Sequence, residues 1–439
     1  MSKFVLAFLL FYSFCTYAVF FIDIKWGIYL YELQYFLNPP ARWWYGSLPN
    51  LRWALMVSIC VLIGYIIKTK QYSENRLFDV PQTKWFTMNL MWMLLASNWA
   101  VWKIMHSHFL TEQIKLMLFL FLMYKTIDNP KRFEGMMWTL IIGNFYISYE
   151  TKRKGRDMFG RVEGTGAADT GGDSNCAAAA VITCIPILLY YIVKYKGWRR
   201  LLLLFFLAYI MNAVILINSR GSFIGLAVSC SYMGFYVFKD ITNKQRFQLI
   251  AIVLIGIGLF LRLADDTFWK RMSSITASED DEEAEGDGGR TLFWMLGIEM
   301  VKAHPLGLGA EGFKWMSPQY IPPECFDNAK NAEGGKRAVH SLYIECLTDR
   351  GYPGFTIWVC LVLSNFFYIR KIKKHLRKQG DFSLYFLGLA VESGFIAFLV
   401  SSAFIDRLYA EILYWFMVFI ACFGNIYLIK GYGSEKAVT

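Results

Sequence analysis

The chain has 439 residues, 56% of them hydrophobic and 18% aromatic, and a formal net charge of +11. Its apolar residues are grouped in long runs rather than alternating with polar ones, which excludes a soluble globular domain. The basic residues fall in alternate short connections between those runs, the pattern of a membrane protein, so nucleic acid is excluded as a partner despite the charge.

A helix needs about 20 mostly apolar residues to cross a bilayer. Twelve runs approach that length: 3–22, 51–67, 85–102, 113–127, 133–149, 176–194, 200–219, 221–239, 246–263, 353–370, 382–404 and 408–430. The run 3–22 lacks a small-residue cleavage site and is long enough to span, so it reads as a helix rather than a signal peptide. Segment 26–38 is apolar but short, with Trp43, Trp44, Tyr45 and Trp53 nearby, and reads as a re-entrant or interfacial piece. The predicted fold class is an all-α polytopic membrane protein with about twelve transmembrane helices and one large extracytoplasmic loop. Residues 1–263 carry the first spans, 264–352 the loop, and 353–439 the last spans and tail.

Clusters at Lys68–Lys70–Arg76–Lys84, at Lys125–Lys131–Arg132, at Lys194–Lys196–Arg199–Arg200, at Lys239–Lys244–Arg246 and at 370–378 set the orientation. They put both termini in the cytoplasm and loop 264–352 outside, on the periplasmic face of a bacterial inner membrane. Basic residues on the outer side then need a reason. The first set is Lys152, Arg153, Lys154, Arg156 and Arg161, ahead of a Gly-rich stretch. Arg153, Arg156 and Arg161 could draw a polyanionic substrate to the outer mouth, or only touch anionic lipid. Asp173 and Asn175 open the next helix, where either suits an N-cap.

The second is Arg220, within Asn218-Ser219-Arg220-Gly221-Ser222, between two apolar runs with almost no room for a loop. Gly221 allows a tight reversal there. The guanidinium fork suits a phosphate; capping the preceding helix or snorkelling to lipid phosphates are the other readings.

The loop carries seven acids within 279–287, without the spacing of a twelve-residue calcium loop. It reads as a solvated acidic segment. Next comes Arg290, in the first turn of an amphipathic helix with apolar positions 292, 293, 296, 300 and 301, lying on the outer membrane surface. The helix dipole opposes a cation there, so either a phosphate or the acidic run recruits it. Gly307, Gly309 and Gly312 form a GxGxxG outside any strand–helix unit, which reads as a flexible turn and not a nucleotide site. His340 stands where the loop returns to the membrane, placed to take a proton from a hydroxyl or to serve as a hydrogen-bonded structural residue. Gly351, Pro353 and Gly354 break the chain at its re-entry. Nine cysteines are scattered without a CxxC, and Cys325 is the one well inside the loop, so neither a disulfide framework nor a zinc site is expected. Asp406 and Arg407 read as an internal pair at an outer connection, and Glu392 as a helix–helix contact or a functional group.

Three stretches in this order around one outer loop resemble the O-antigen ligase-like superfamily. They are Ser219-Arg220-Gly221-Ser222, Arg290…Trp294 with His304-Pro305-Leu306-Gly307-Leu308-Gly309, and His340-Ser341-Leu342-Tyr343 with Arg350-Gly351 and Gly354. That group holds O-antigen ligases, O-antigen polymerases and bacterial protein O-oligosaccharyltransferases. The Gly-rich approach to Asp173-Ser174-Asn175 is similar to the exosortase-associated O-glycosylation ligases within it. The resemblance implies a GT-C-like membrane glycosyltransferase, inverting and needing no metal or other cofactor. Its donor would be a glycan on undecaprenyl diphosphate, among membrane lipids, and its acceptor a hydroxyl on a glycolipid, protein or glycan. Arg220 and Arg290 would hold the diphosphate, His340 would activate the acceptor, and Tyr343, Arg153, Arg156 and Arg161 would contact substrate. Many members carry Asn after the His; this chain has Ser341. A polymerase using the same donor and a glycan transporter are the alternatives.

Overall fold

The structure is a computed structural model, and it describes residues 3–433 except 73, 159, 274–288 and 323–335. The acidic run 279–287 and Cys325 lie outside the described residues. Seventeen α-helices account for the described chain, with no strand among the described residues. They are α1 (Lys3–Phe21), α2 (Lys25–Leu37), α3 (Trp53–Ile67), α4 (Gln82–Ala96), α5 (Lys103–Thr126), α6 (Pro130–Lys154), α7 (Ser174–Ile182), α8 (Ile185–Lys194), α9 (Gly197–Ile217), α10 (Arg220–Asp240) and α11 (Asn243–Leu263). The extramembrane α12 (Asp266–Ser273), α13 (Gly289–Ala303) and α14 (Gly312–Tyr320) follow, then α15 (Leu342–Lys378), α16 (Phe382–Ser401) and α17 (Glu411–Gly424).

Local chemistry sets several boundaries. Asn129 accepts from the Arg132 backbone N–H at 3.1 Å, with Pro130 at the first helical position, and so starts α6. Asp173 accepts from Cys176 N–H at 2.7 Å and starts α7, the capping expected of it. Thr242 and Gln245 form a capping box for α11. Helices α10 and α16 pack face to face. Gly225 on α10 leaves room for no Cβ, because the Ala397 carbonyl oxygen would lie 2.7 Å away, and Ser222 hydrogen-bonds Ser401 at 2.8 Å. Small residues let helices approach where lipid supplies no hydrophobic drive.

Every one of the twelve predicted runs falls on a helix. Among the described residues, seven helical segments are long and apolar enough to cross a membrane, eight if the bent segment beginning with α3 counts as one. The route between the two ends of the bundle differs from the expectation in one place. Segment 26–38 is not a re-entrant or interfacial piece. It is α2, a helix packed against α1, α3 and α6 that buries Glu32 and Gln34. At one end, Phe4 meets Trp43 (5.1 Å) just beyond α2. At the other, Asp23, just before α2, pairs with Arg132 (2.8 Å), and Lys430 reaches Asp128 (3.5 Å). α2 therefore runs from one end to the other, and Phe4 and Lys430 lie at opposite ends.

The return from the loop also moves. Helix α15 begins at Leu342, not near residue 353, and breaks at Gly351 (φ 63°). The Gly-rich turn is no flexible hinge. It crosses the break in α15: Leu308 N–H donates to Thr348 O and Gly309 N–H to Asp349 O, both at 2.9 Å, and Tyr352 N–H donates to Pro305 O at 2.9 Å. Phe293, Leu296, Met300, Leu308, Phe313, Ile321 and Val339 form a small core under α13 and α14. Thus α13 buries its apolar stripe against protein, with Gly297 on Ile344, rather than simply lying on lipid.

Candidate functional site

The short connection 402–410 between α16 and α17 organises the loop end. Asp406 accepts from Ser341 N–H at 2.9 Å, and the backbone N–H groups of His340 and Val339 also hold it. Burial pushes the Asp406 carboxyl above the usual carboxylate range, against the pull of the His340 imidazole and those N–H groups. His340 is exposed and takes a left-handed backbone, φ 52°, which a non-glycine residue adopts only when its surroundings impose it. Its ring lies 6.5 Å from the Phe293 ring, centroid to centroid.

Phe293 is one turn past Arg290, which is half-buried in the first turn of α13. Arg220 is half-buried at the first position of α10. The tight reversal before it is made by Asn218 (φ 58°), the C-cap of α9, and not by Gly221. Gly221 is helical, and a Cβ there would stand 2.9 Å from the Phe404 ring, two residues from Asp406. Arg220 and His340 are thus each next to a backbone that meets residues 404–406, and Arg290 lies one turn from Phe293, whose ring faces that of His340.

The remaining predicted residues are held elsewhere. Arg156 pairs with Asp265 and donates to the Ile215 carbonyl at 3.0 Å, at the foot of the Arg220 turn. The Asp265 carboxyl, raised by its partial burial but lowered more by Arg156 and a backbone N–H, titrates below its usual range. Arg161 is buried on the Ser174 hydroxyl and 3.7 Å from Glu163. Arg153 pairs with Glu150 at 2.9 Å and lies over Trp43. Carboxylates beside all three dilute the field expected of a free basic patch. The Tyr343 hydroxyl donates to the Leu399 carbonyl at 2.9 Å, between helices.

Sequence reading missed two groups. Asp406 and Arg407 do not pair with each other: Asp406 holds the His340 backbone, and Arg407 pairs with Asp169 at 2.7 Å. Arg350 is buried against Asn89 and lies 5.7 Å over the Tyr409 ring. Arg350 and Arg407 carried a signal, since each is a cation adjoining an apolar run, but Asn89 is 261 residues from Arg350 and Asp169 is 238 from Arg407.

Residues 204–359 match the family model of the O-antigen ligases. That stretch contains Arg220, Arg290 and His340. An uncharacterised protein of Haemophilus influenzae is 24% identical over 211 residues, 46% of this chain and 51% of that protein. The matched region therefore spans about half the length of that relative. From α9 into α15 the chain is thus similar to the O-antigen ligases.

Proposed function

We propose that the chain is a bacterial inner-membrane glycosyltransferase that moves a glycan from undecaprenyl diphosphate to an acceptor hydroxyl at the loop end of the bundle, facing the periplasm. The observation that supports the reading is the packing of Gly221, next to Arg220, on Phe404 and the hold of Asp406 on the His340 backbone, with Phe293, one turn past Arg290, 6.5 Å from the His340 ring. A diphosphate is a good leaving group. As the bond from the anomeric carbon to the phosphate oxygen breaks, its electron pair passes to the diphosphate, and two guanidinium groups stabilise that charge. The acceptor oxygen attacks from the opposite face, inverting the carbon, and its proton passes to the His340 imidazole. Asp406 steadies that residue through its backbone. The reaction balances without a metal.

The test is turnover in proteoliposomes with a lipid-linked glycan and candidate acceptors, read by mass spectrometry as glycosylated acceptor plus undecaprenyl diphosphate. A single transfer fits a ligase, and a ladder of rising length fits a polymerase. Movement of the intact lipid-linked glycan across the bilayer without bond cleavage would overturn the reading.

A further inference from the structure

Tyr409 and Glu411, on the far side of the 402–410 connection, open onto a groove of about 1120 Å³ between α2, α3 and α5. It is amphipathic along its length. Leu55, Ile59 and Leu118 form an exposed apolar wall. The inner surface is polar and buried. Gln34 (3% exposed) has neither its amide oxygen nor its amide nitrogen hydrogen-bonded, and Gln113 (2% exposed) has its nitrogen unpartnered. Buried amides left this way normally mark a missing partner, since an unmade hydrogen bond in the interior is costly. Both line the groove.

Charge narrows what that partner is. Asp169, on the groove floor, is matched by Arg407. Lys115 and Arg52 stand at the exposed rim, Lys115 already bonded to Glu112 at 2.7 Å. The buried lining presents amides, phenols and carboxylates, and no Lys or Arg among the described residues. Such a surface suits hydroxyl groups and repels phosphate. Phe109 and Tyr409, their rings tilted by 39° with centroids 4.6 Å apart, add aromatic surface of the kind that packs on a sugar ring.

We propose that this groove binds an amphiphile with an uncharged, hydroxyl-rich headgroup, its chain along the α3–α5 wall and its head on Gln34 and Gln113. Tyr409 is three residues from Asp406, a chain reach of about 10 Å at most, so the head lies beside the His340 site. Resting on the transferase reading, this is the acceptor's approach to that site.

The full chain in nanodiscs would be labelled with photoreactive alkyl glucoside, alkyl phosphate and alkylammonium probes of equal chain length, and the adducts mapped by mass spectrometry. The glucoside labels groove residues, the phosphate does not, and Gln34→Leu or Gln113→Leu lowers the yield about fivefold, the scale of one lost hydrogen bond. Ala54→Trp, at an exposed lining position, fills the groove without entering the core and also abolishes labelling. Equal labelling by phosphate or ammonium probes, or adducts spread evenly over the lipid-facing surface, overturns the proposal. In the transfer assay Ala54→Trp raises the acceptor KM about fivefold with kcat little changed; an unchanged KM removes the acceptor role. Labelling requires no turnover, so groove capture by a chain that cleaves no lipid-linked glycan in the transfer assay would sink the transferase reading and leave the groove standing.

Discussion

His340 shows how a site can be held through its backbone rather than its ring. Its left-handed φ of 52° is imposed by Asp406, whose carboxylate is bonded to the peptide next to it. A base so placed makes the rate rise with pH as the imidazole loses its proton. His340→Gln should lower kcat by roughly 10²–10⁴ and abolish that rise, measured as a pH–rate profile. Arg220→Ala and Arg290→Ala should each lower kcat by about 10²–10³, the cost of removing one donor from a developing anion. Circular dichroism and detergent melting should be unchanged, since both side chains are half-buried. Asp406 makes a stability prediction. Its native carboxyl keeps a proton to higher pH than it would in the unfolded chain. The folded state then binds more protons between the two values, so this group's contribution falls as pH rises through that window, from about pH 4 upward. The melting midpoint of Asp406→Asn should decline less over that range than that of the parent. The arginines and the histidine were legible because cations and imidazoles are conspicuous beside apolar runs. Asp406 was not, because its partner is a backbone that only the fold brings to it.

Among the elements, the crossing of the Gly-rich turn over the break in α15 makes the sharpest claim. A Cβ on Gly307 would stand 2.6 Å from the Asp349 carbonyl oxygen, and Gly307 and Gly351 face each other across the same contact. Both have positive φ, 88° and 63°. Gly307→Ala and Gly351→Ala should therefore each destabilise by about 2 kcal/mol or more, from overpacking together with strain. Gly234, within α10 and with nothing near its Cβ position, is the control. Gly234→Ala should be neutral or gain about 0.5–1 kcal/mol. Denaturant unfolding in detergent reads all three. The turn's glycines were visible in the sequence, but not the rigidity they serve. Composition reports that a chain can bend, not that another backbone will press against the bend.

For the whole molecule, the consequence is topology. With α2 running end to end, the N-terminal residues lie at the loop end and Lys430 at the other. An N-terminal epitope in spheroplasts should be cleaved from the same face as a protease site inserted after residue 303, and a C-terminal epitope should be protected. Protection of both termini would restore the twelve-pass arrangement. The membrane class and the positions of the apolar helices were determined by the sequence alone, because hydropathy is a property a residue carries anywhere. The course of α2 through the bundle, the clasp of Asp406 on the His340 backbone, the pairing of Arg407 with Asp169 and the groove were decided only by the tertiary structure. A 13-residue helix can run end to end when protein instead of lipid surrounds it, and buried polar groups find partners by proximity in space, which separation along the chain does not reveal.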